Sequence, residues 1–134
     1  MEIAKTAVVL MNLGGPQSLD KVEEFLFSLF YDKTIINLPN PIRWLIAKTV
    51  SKLRKNKARS IYSLMGGKSP ILEQTIAQKE ALQQVLGNEK FTVMVCMRHS
   101  EPGILHIMEE IKQKNIKEIL CIPLYPQFSY TTTY

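Results

Sequence analysis

The sequence predicts an α/β fold in which helices flank a parallel sheet. Three short apolar runs rich in Val and Ile are candidate strands, at Ala7–Asn12, Phe91–Met97 and Glu118–Leu124. Because each run is continuously apolar rather than alternating, it is typical of a strand that is covered on both faces of a sheet. Helical patterns separate the runs, and strands that alternate with helices favour parallel pairing through right-handed crossovers.

Each helix is predicted from an apolar stripe and the signals that flank it. The stripe of the first helix consists of Val22, Phe25, Leu26, Leu29 and Phe30. A serine four residues before this stripe is a candidate helix cap. Three further helices are expected, at residues 41–62, 69–86 and 102–114. The first of them is expected to break near Asn56. Proline stands at or beside the start of each of these three segments, where a missing amide hydrogen costs little.

The composition is that of a soluble globular protein the size of one domain. The 134 residues are 46% hydrophobic and 22% charged, and neither a long apolar span nor a signal peptide opens the chain. An intracellular protein is therefore expected. Cys96 and Cys121 lack CxxC spacing and His neighbours, which predicts two reduced thiols in the core. Residues 129–134 look like a loop that leads to another helix, so further chain is expected beyond Tyr134.

Positive charge is concentrated in one segment. Residues 33–72 carry nine Lys or Arg and no Asp or Glu, whereas the remaining residues hold eight basic and twelve acidic side chains. An anionic partner is expected, but nucleic acid is not favoured because only Trp44 and Tyr62 lie nearby to stack on bases. The segment instead contains the mixture of apolar and basic residues that is typical of a helix lying on anionic lipid, namely Arg43, Trp44, Leu45, Ile46 and Lys48. A solvated basic helix is the alternative interpretation.

The segments that directly follow the candidate strands are the first places to look for a ligand. Ligands of open parallel sheets bind beyond the carboxyl ends of the strands, which here are residues 12–16, 97–100 and 124–129. No GxGxxG motif is present, so a dinucleotide fingerprint is excluded. Gly67-Lys68-Ser69 superficially resembles a phosphate loop, but Tyr62 occupies the position of its first glycine.

Two groups of polar side chains have both a functional and a structural interpretation. Arg98 and His99 follow the second strand and would present a cation and an imidazole at a site rim, or would be solvated there. His106 lies three and four residues before Glu109 and Glu110, a spacing that suits a divalent metal. A solvated helix face is the favoured interpretation of that second group.

Several motifs together, in order and spacing over essentially the whole chain, resemble the ferrochelatase family. The residues that carry the resemblance are Met11-Asn12-Leu13-Gly14-Gly15-Pro16, Phe25-Leu26-Phe27, Leu38-Pro39-Asn40-Pro41, Ile61-Tyr62, Gly66-Gly67-Lys68-Ser69-Pro70-Ile71, Met97-Arg98 and Pro123-Leu124-Tyr125-Pro126-Gln127-Phe128-Ser129. Each motif alone is weak evidence for the family, but the occurrence of all of them in the order and spacing of the family is specific.

The resemblance implies a fold and an activity. Ferrochelatases have two similar Rossmann-like (chelatase-like) halves around a cleft, and residues 1–134 are similar to the amino-terminal half, as one domain. The implied reaction is insertion of ferrous iron into protoporphyrin IX to form protohaem, in the last step of haem biosynthesis. Iron and porphyrin are substrates, and no resident cofactor is implied for this chain. An iron–sulfur cluster, in enzymes that have one, would lie in the other half.

The resemblance also implies site residues. Leu13, Phe25, Leu26 and Leu29 match positions that contact the macrocycle, and Arg54, Tyr62 and Ser69 match positions on its propionate side. Arg98 matches an arginine of the inner pocket wall, while Tyr125 and Ser129 match a polar segment of the same cleft. A guanidinium, a phenol and a hydroxyl suit the binding of carboxylates.

Two departures from the family pattern qualify these implications. His99 and Glu101 stand after Arg98, where the family usually has an aromatic residue and often a histidine two positions further on. The metal-site histidine of a His-Gly-Leu-Pro type motif, and its partner glutamate, belong to the second half of the family. Since those groups take the pyrrole protons, the chain is expected to be an inactive fragment of a cytoplasmic enzyme at the inner face of the membrane.

Two alternatives to this function stay open at this point. A coproporphyrin ferrochelatase would act on a more carboxylated substrate, whereas a non-catalytic tetrapyrrole-binding or lipid-binding module would need no second half. The apolar and basic residues Leu29, Trp44, Leu45 and Lys48 favour the membrane-associated protoporphyrin type over the first alternative. The oligomeric state is a separate open question, because the apolar surface of an exposed half-cleft favours self-association.

Overall fold

The computed structural model describes residues 5–129 and confirms the α/β class. Its elements are β1 (Thr6–Asn12), a 3-10 turn (Leu19–Lys21), α1 (Val22–Tyr31), α2 (Asn40–Leu64), α3 (Ile71–Leu86), β2 (Phe91–Met97), α4 (Ile104–Gln113) and β3 (Glu118–Pro123). Except for Ser129, the loop expected at residues 129–134 lies outside the described residues. Among the described residues, no helix has the length and apolar character needed to cross a bilayer.

Among residues 5–129, the sheet has three strands in the order β2-β1-β3, and both pairs are parallel. Val9 of β1 lies opposite Met94 of β2 and opposite Cys121 of β3, so the three strands end at the same edge. The predicted parallel sheet is therefore confirmed, with the first strand of the chain at its centre.

The prediction that all three strands are buried on both faces is wrong for β3. Leu120 of β3 is 52% exposed, and Cys121 is exposed while Cys96 on β2 is buried. The reason is the lack of a covering helix: β2 and β3 both lie at an edge of the sheet, but α3 and α4 pack on β1 and β2, and among residues 5–129 neither core cluster contains a buried residue of β3. An apolar run shows that a strand suits burial, but it does not show what covers the strand.

The expected break near Asn56 is also wrong, since α2 is one continuous helix from Asn40 to Leu64. An asparagine inside a helix costs less than about 1 kcal/mol relative to alanine. Packing on α1 outweighs that cost, because Ala47 is fully buried on one side of Asn56 and Ala58 packs against the α1 core on the other.

The described residues form two compact units. The first unit comprises residues 5–14 and 71–127, and the second comprises residues 15–70 and 128–129. Each unit has its own hydrophobic core, and each is described separately below.

The first unit is the sheet with one helix on each face. Ala7, Val9, Met94 and Cys96 pack against Ile107 and Ile111 of α4. On the opposite face, Val8, Leu10 and Val93 pack against Leu82 and Leu86 of α3. Because alternate residues of β1 face α3 and α4, the continuous apolar pattern of this strand is explained.

The second unit is built on the contact between α1 and α2. Val22, Phe25 and Leu26 form its buried core, and Leu29, Phe30, Ala58 and Tyr62 pack around them. The helical spacing of this stripe predicted that it is buried. Its burial stabilises the fold by roughly 25 cal/mol per Å² of apolar surface removed from water. Two fully buried small residues of α2, Ala47 and Ser51, leave room for bulky neighbours.

Candidate functional site

In the first unit, the loop after β1 carries the candidate residue Leu13. The side-chain oxygen of Asn12 accepts a hydrogen bond from the Leu13 amide at 2.9 Å, and its amide nitrogen donates to the Thr75 hydroxyl at 3.2 Å. Gly14 follows with a φ of +90°, a conformation that glycine adopts without strain. Leu13 is half-buried, so part of its side chain stays accessible.

The loop after β2 lies beside the loop after β1. The Arg98 amide donates to the Asn12 carbonyl at 3.0 Å, and the His99 amide donates to the Leu13 carbonyl at 3.0 Å. The Arg98 side chain is exposed, whereas His99 is 9% exposed. Leu13 and Arg98, which the sequence assigned to one site, thus belong to adjoining loops.

The third candidate of this unit is Tyr125, which follows β3. The Leu124 amide donates to the Met11 carbonyl at 2.8 Å, which continues the sheet pairing up to this loop. Tyr125 is half-buried. The three loops leave the carboxyl edge of the sheet, where open α/β folds bind their ligands.

In the second unit, the three candidate residues on α1 differ in accessibility. Phe25 and Leu26 are 7% and 8% exposed, because both belong to the core between α1 and α2. Leu29 packs against the edge of that core and is half-buried. Of the three, Leu29 has the most surface left for a ligand.

Arg54 and Tyr62 are placed on α2 beside this apolar cluster. The Arg54 guanidinium lies over the Phe30 ring, 5.9 Å from its centroid, and Arg54 is exposed. Tyr62 packs against the cluster itself. Burial raises the pKa of the Tyr62 phenol, so the phenol stays a neutral hydrogen-bond donor at physiological pH.

A glycine turn places Ser69 after α2. Gly66 and Gly67 both have positive φ, and the Gly67 amide donates to the Tyr62 carbonyl at 2.8 Å. The chain then returns so that the Ser69 amide donates to the Pro16 carbonyl at 2.8 Å. This backbone arrangement differs from a phosphate loop, since the turn follows a helix rather than a strand. Ser129, the other candidate of this unit, is half-buried.

The metal interpretation of the acidic residues on α4 is not supported. Among residues 5–129, no group of three or more His, Cys, Asp or Glu side chains is arranged to hold a metal ion. Glu110 instead accepts a salt bridge from Lys114 at 2.6 Å.

Sequence reasoning assigned no role to Thr75, which the structure places in contact with Asn12. Thr75 is 1% exposed on α3, and its hydroxyl donates to the Ile71 carbonyl at 2.7 Å. A signal was present: Thr75 interrupts the apolar stripe of Leu72, Leu82 and Leu86 at helical spacing. A buried polar residue on an apolar stripe needs a hydrogen-bond partner.

The fold and these loops define an α/β protein of the class that binds ligands at the carboxyl edge of an open parallel sheet. The ferrochelatase family profile matches residues 5–134. The chain therefore belongs to the ferrochelatase family.

Curated relatives are similar over almost the whole of this chain. The chain is 54% identical over 132 residues to the ferrochelatase of Rickettsia bellii (strain OSU 85-389), covering 96% of this chain and 37% of the relative. It is 52% identical to the ferrochelatase of Wolbachia sp. subsp. Drosophila simulans, where the same 96% covers 42% of the relative. The ferrochelatase of Rickettsia prowazekii is 48% identical, with 39% of its length covered. The chain thus spans about two fifths of these relatives, as an amino-terminal portion.

Proposed function

We propose that this chain supplies porphyrin-binding residues of a ferrochelatase, which inserts ferrous iron into protoporphyrin IX to form protohaem. The observation that carries the proposal lies in the second unit, where an apolar cluster on α1 adjoins a cation and a phenol on α2. A porphyrin is a flat apolar ring with carboxylates at one side. Pockets for such ligands combine an apolar lining with a few polar groups of fixed position.

The second unit provides both kinds of contact. Leu29 offers accessible apolar surface, while Arg54 and Tyr62 offer donors for a carboxylate. Hydrogen bonds from a charged donor to a carboxylate are about twice as strong as neutral ones. In the same proposal, Phe25, Leu26, Ser69 and Ser129 complete the porphyrin contacts of this unit, and Leu13, Arg98 and Tyr125 contact porphyrin from the first unit.

We assign iron insertion itself to the full-length protein. Two pyrrole protons must leave as the metal enters, and a positioned base has to accept them. The proposal places that histidine and glutamate in the part of the relatives that this chain does not span. The 134-residue chain is therefore expected to bind porphyrin without inserting iron, and a chelatase assay that detects turnover would refute this expectation.

The carboxylate contacts are tested with two matched double variants. Arg54→Ala combined with Ser69→Ala is expected to weaken protoporphyrin binding by about tenfold to a hundredfold, because hydrogen bonds to charged groups contribute about 1.5–3 kcal/mol. The control combines Lys57→Ala with Ser60→Ala on the exposed side of α2, which removes the same number of cations and hydroxyls. Porphyrin fluorescence titration measures both, and equal affinities would count against the proposed role.

The same titration separates the two substrates. Protoporphyrin carries two carboxylates, whereas a coproporphyrin carries four, so the second substrate gains more from cations. If the chain bound coproporphyrin more tightly than protoporphyrin, and if the Arg54→Ala and Ser69→Ala double variant lost more affinity for coproporphyrin, the proposed substrate would change to coproporphyrin.

We further propose that the outward face of α2 rests on an anionic membrane surface. Ile42, Leu45 and Leu53 are 51%, 60% and 77% exposed, and their spacing of three and eight residues places them on one helix face. The helix carries seven Lys or Arg and no acidic residue. An apolar stripe flanked by cations is the pattern of helices that lie in the headgroup region of a bilayer. In the same proposal, the full-length protein lies at the cytoplasmic face of the inner membrane.

Vesicle sedimentation tests the membrane contact. The chain is expected to sediment with phosphatidylcholine vesicles that contain phosphatidylserine and to be released by salt, since anionic headgroups attract the cations. Leu45→Ser should reduce this binding, whereas Leu105→Ser, at a leucine of α4 that is 79% exposed, should not. Equal sedimentation with pure phosphatidylcholine would contradict the electrostatic part. Sedimentation without vesicles would instead report self-association.

A further inference from the structure

We infer that Asn12 is a positioning residue, held by Thr75, that sets the backbone of the loops carrying Leu13 and Arg98. For its ligand the inference rests on the proposed function, in which both residues contact porphyrin. The geometry itself lies within the first unit.

Asn12 links three parts of this unit through its side chain and its main-chain carbonyl. Its oxygen accepts from the Leu13 amide at 2.9 Å, and its nitrogen donates to Thr75 on α3 at 3.2 Å. Its main-chain carbonyl accepts from the Arg98 amide at 3.0 Å. One residue therefore connects the loop after β1, the loop after β2 and the first turns of α3.

Thr75 decides which way the Asn12 amide points. The single hydroxyl proton of Thr75 is donated to the Ile71 carbonyl at 2.7 Å, so the hydroxyl can only accept from Asn12. An NH₂ group is the matching donor, and the carbonyl end of the Asn12 side chain must then face the Leu13 amide. With Thr75 only 1% exposed, water does not readily replace this contact.

The orientation of Leu13 is thereby tied to that of Arg98. The Leu13 carbonyl accepts from the His99 amide at 3.0 Å, one residue beyond the bond between Asn12 and Arg98. A peptide rotation that turned Leu13 away would break the bond to the Asn12 side chain and strain the bonds to the second loop. Asn12 therefore acts on a ligand through the residues that it positions, without touching the ligand itself.

Three variants of the 134-residue chain test this role by amide hydrogen exchange. Thr75→Val removes the hydroxyl at nearly constant volume, and the Leu13 and Arg98 amides are expected to exchange about fivefold to tenfold faster. Thr75→Ser keeps the hydroxyl and should restore native exchange. Asn12→Ala should reproduce the Thr75→Val pattern. Amides of the central strand, such as Val9 and Leu10, should be unchanged.

Porphyrin titration of the same variants completes the test. Weaker binding in Thr75→Val, with native binding in Thr75→Ser, is the expected result. Exchange that rises uniformly in the sheet, or stays native in Thr75→Val, would overturn the positioning of the loops by Asn12. Altered exchange with unchanged porphyrin affinity would overturn the inferred effect of Asn12 on the ligand. A native chain that binds no porphyrin would refute the proposed function, while the exchange pattern would still decide whether Asn12 sets the loops.

Discussion

Gly14→Ala is expected to destabilise the chain by about 3 kcal/mol or more, because strain and collision act together. Gly14 has a φ of +90°, a conformation that residues with a Cβ rarely adopt. An added Cβ would also collide with the Ser100 hydroxyl, and it would lie 3.2 Å from the Ser100 amide nitrogen and 3.3 Å from the Met97 Cβ. Met97 is 1% exposed and cannot move away without disturbing the core. Urea unfolding measures the loss.

Gly87→Ala is the matched control for this prediction. Gly87 has a φ of +70°, but nothing lies within 4 Å of the position that its Cβ would occupy. This variant should therefore lose only about 1–2 kcal/mol of folding free energy, the cost of the strained backbone conformation. A loss as large as that of Gly14→Ala would show that backbone strain, rather than close contact between the loops after β1 and β2, explains the glycine at position 14.

Leu26→Ala is expected to cost about 2–5 kcal/mol of folding free energy, which is typical of a buried leucine replaced by alanine. Leu26 is 8% exposed in the core of the second unit, where it lies with Val22 and Phe25. The sequence had assigned this residue to the porphyrin site, but its burial makes packing between α1 and α2 its larger contribution. Thermal or urea unfolding measures the change.

Leu29→Ala should affect stability less, and porphyrin binding more, than Leu26→Ala does. Because Leu29 is only half-buried, its loss should cost less stability than that of Leu26. It should weaken porphyrin binding more, when both variants are titrated at a temperature where both are folded. If Leu26→Ala reduced porphyrin affinity more than Leu29→Ala did, then Leu26, not Leu29, would be the main apolar contact.

The structure gives the basic segment a more specific meaning than a diffuse positive patch. Lys48 lies over the ring of Phe27, 5.9 Å from its centroid, and Arg43 lies over that of Tyr31 at 5.1 Å. With Arg54 over Phe30, three cations of α2 lie over aromatic rings of α1. Such contacts contribute about 0.5–1 kcal/mol each at exposed sites. Part of the charge thus also joins the two helices.

One further cation of the segment pairs with an acidic residue. Lys55 donates to Glu23 at 2.8 Å, and this hydrogen bond lowers the pKa of the Glu23 carboxyl. A lowered folded-state pKa means that the pair stabilises the fold above the ordinary glutamate pKa of 4.5. This contribution is lost as the pH falls through the lower folded value, and neutral pH keeps it in place.

The local pattern of the sequence was sufficient for the fold class, the family and most elements. The continuous apolar run of β1 predicted a strand covered on both faces, and the stripe on α1 predicted its buried side. Both signals depend on neighbouring residues whose spacing matches the period of a strand or a helix. The motifs around Gly14 and Ser69 identified the family for a similar reason, since tight turns permit few residue types.

The tertiary structure alone decided what depends on partners distant in sequence. The exposure of β3 follows from the packing of α3 and α4 on β1 and β2, and the continuity of α2 through Asn56 follows from its packing on α1. The hydrogen bond between Asn12 and Thr75 joins residues 63 positions apart. Burial and hydrogen bonding depend on which segments contact each other in the folded chain. The spacing of neighbouring residues along the sequence carries no information on those contacts.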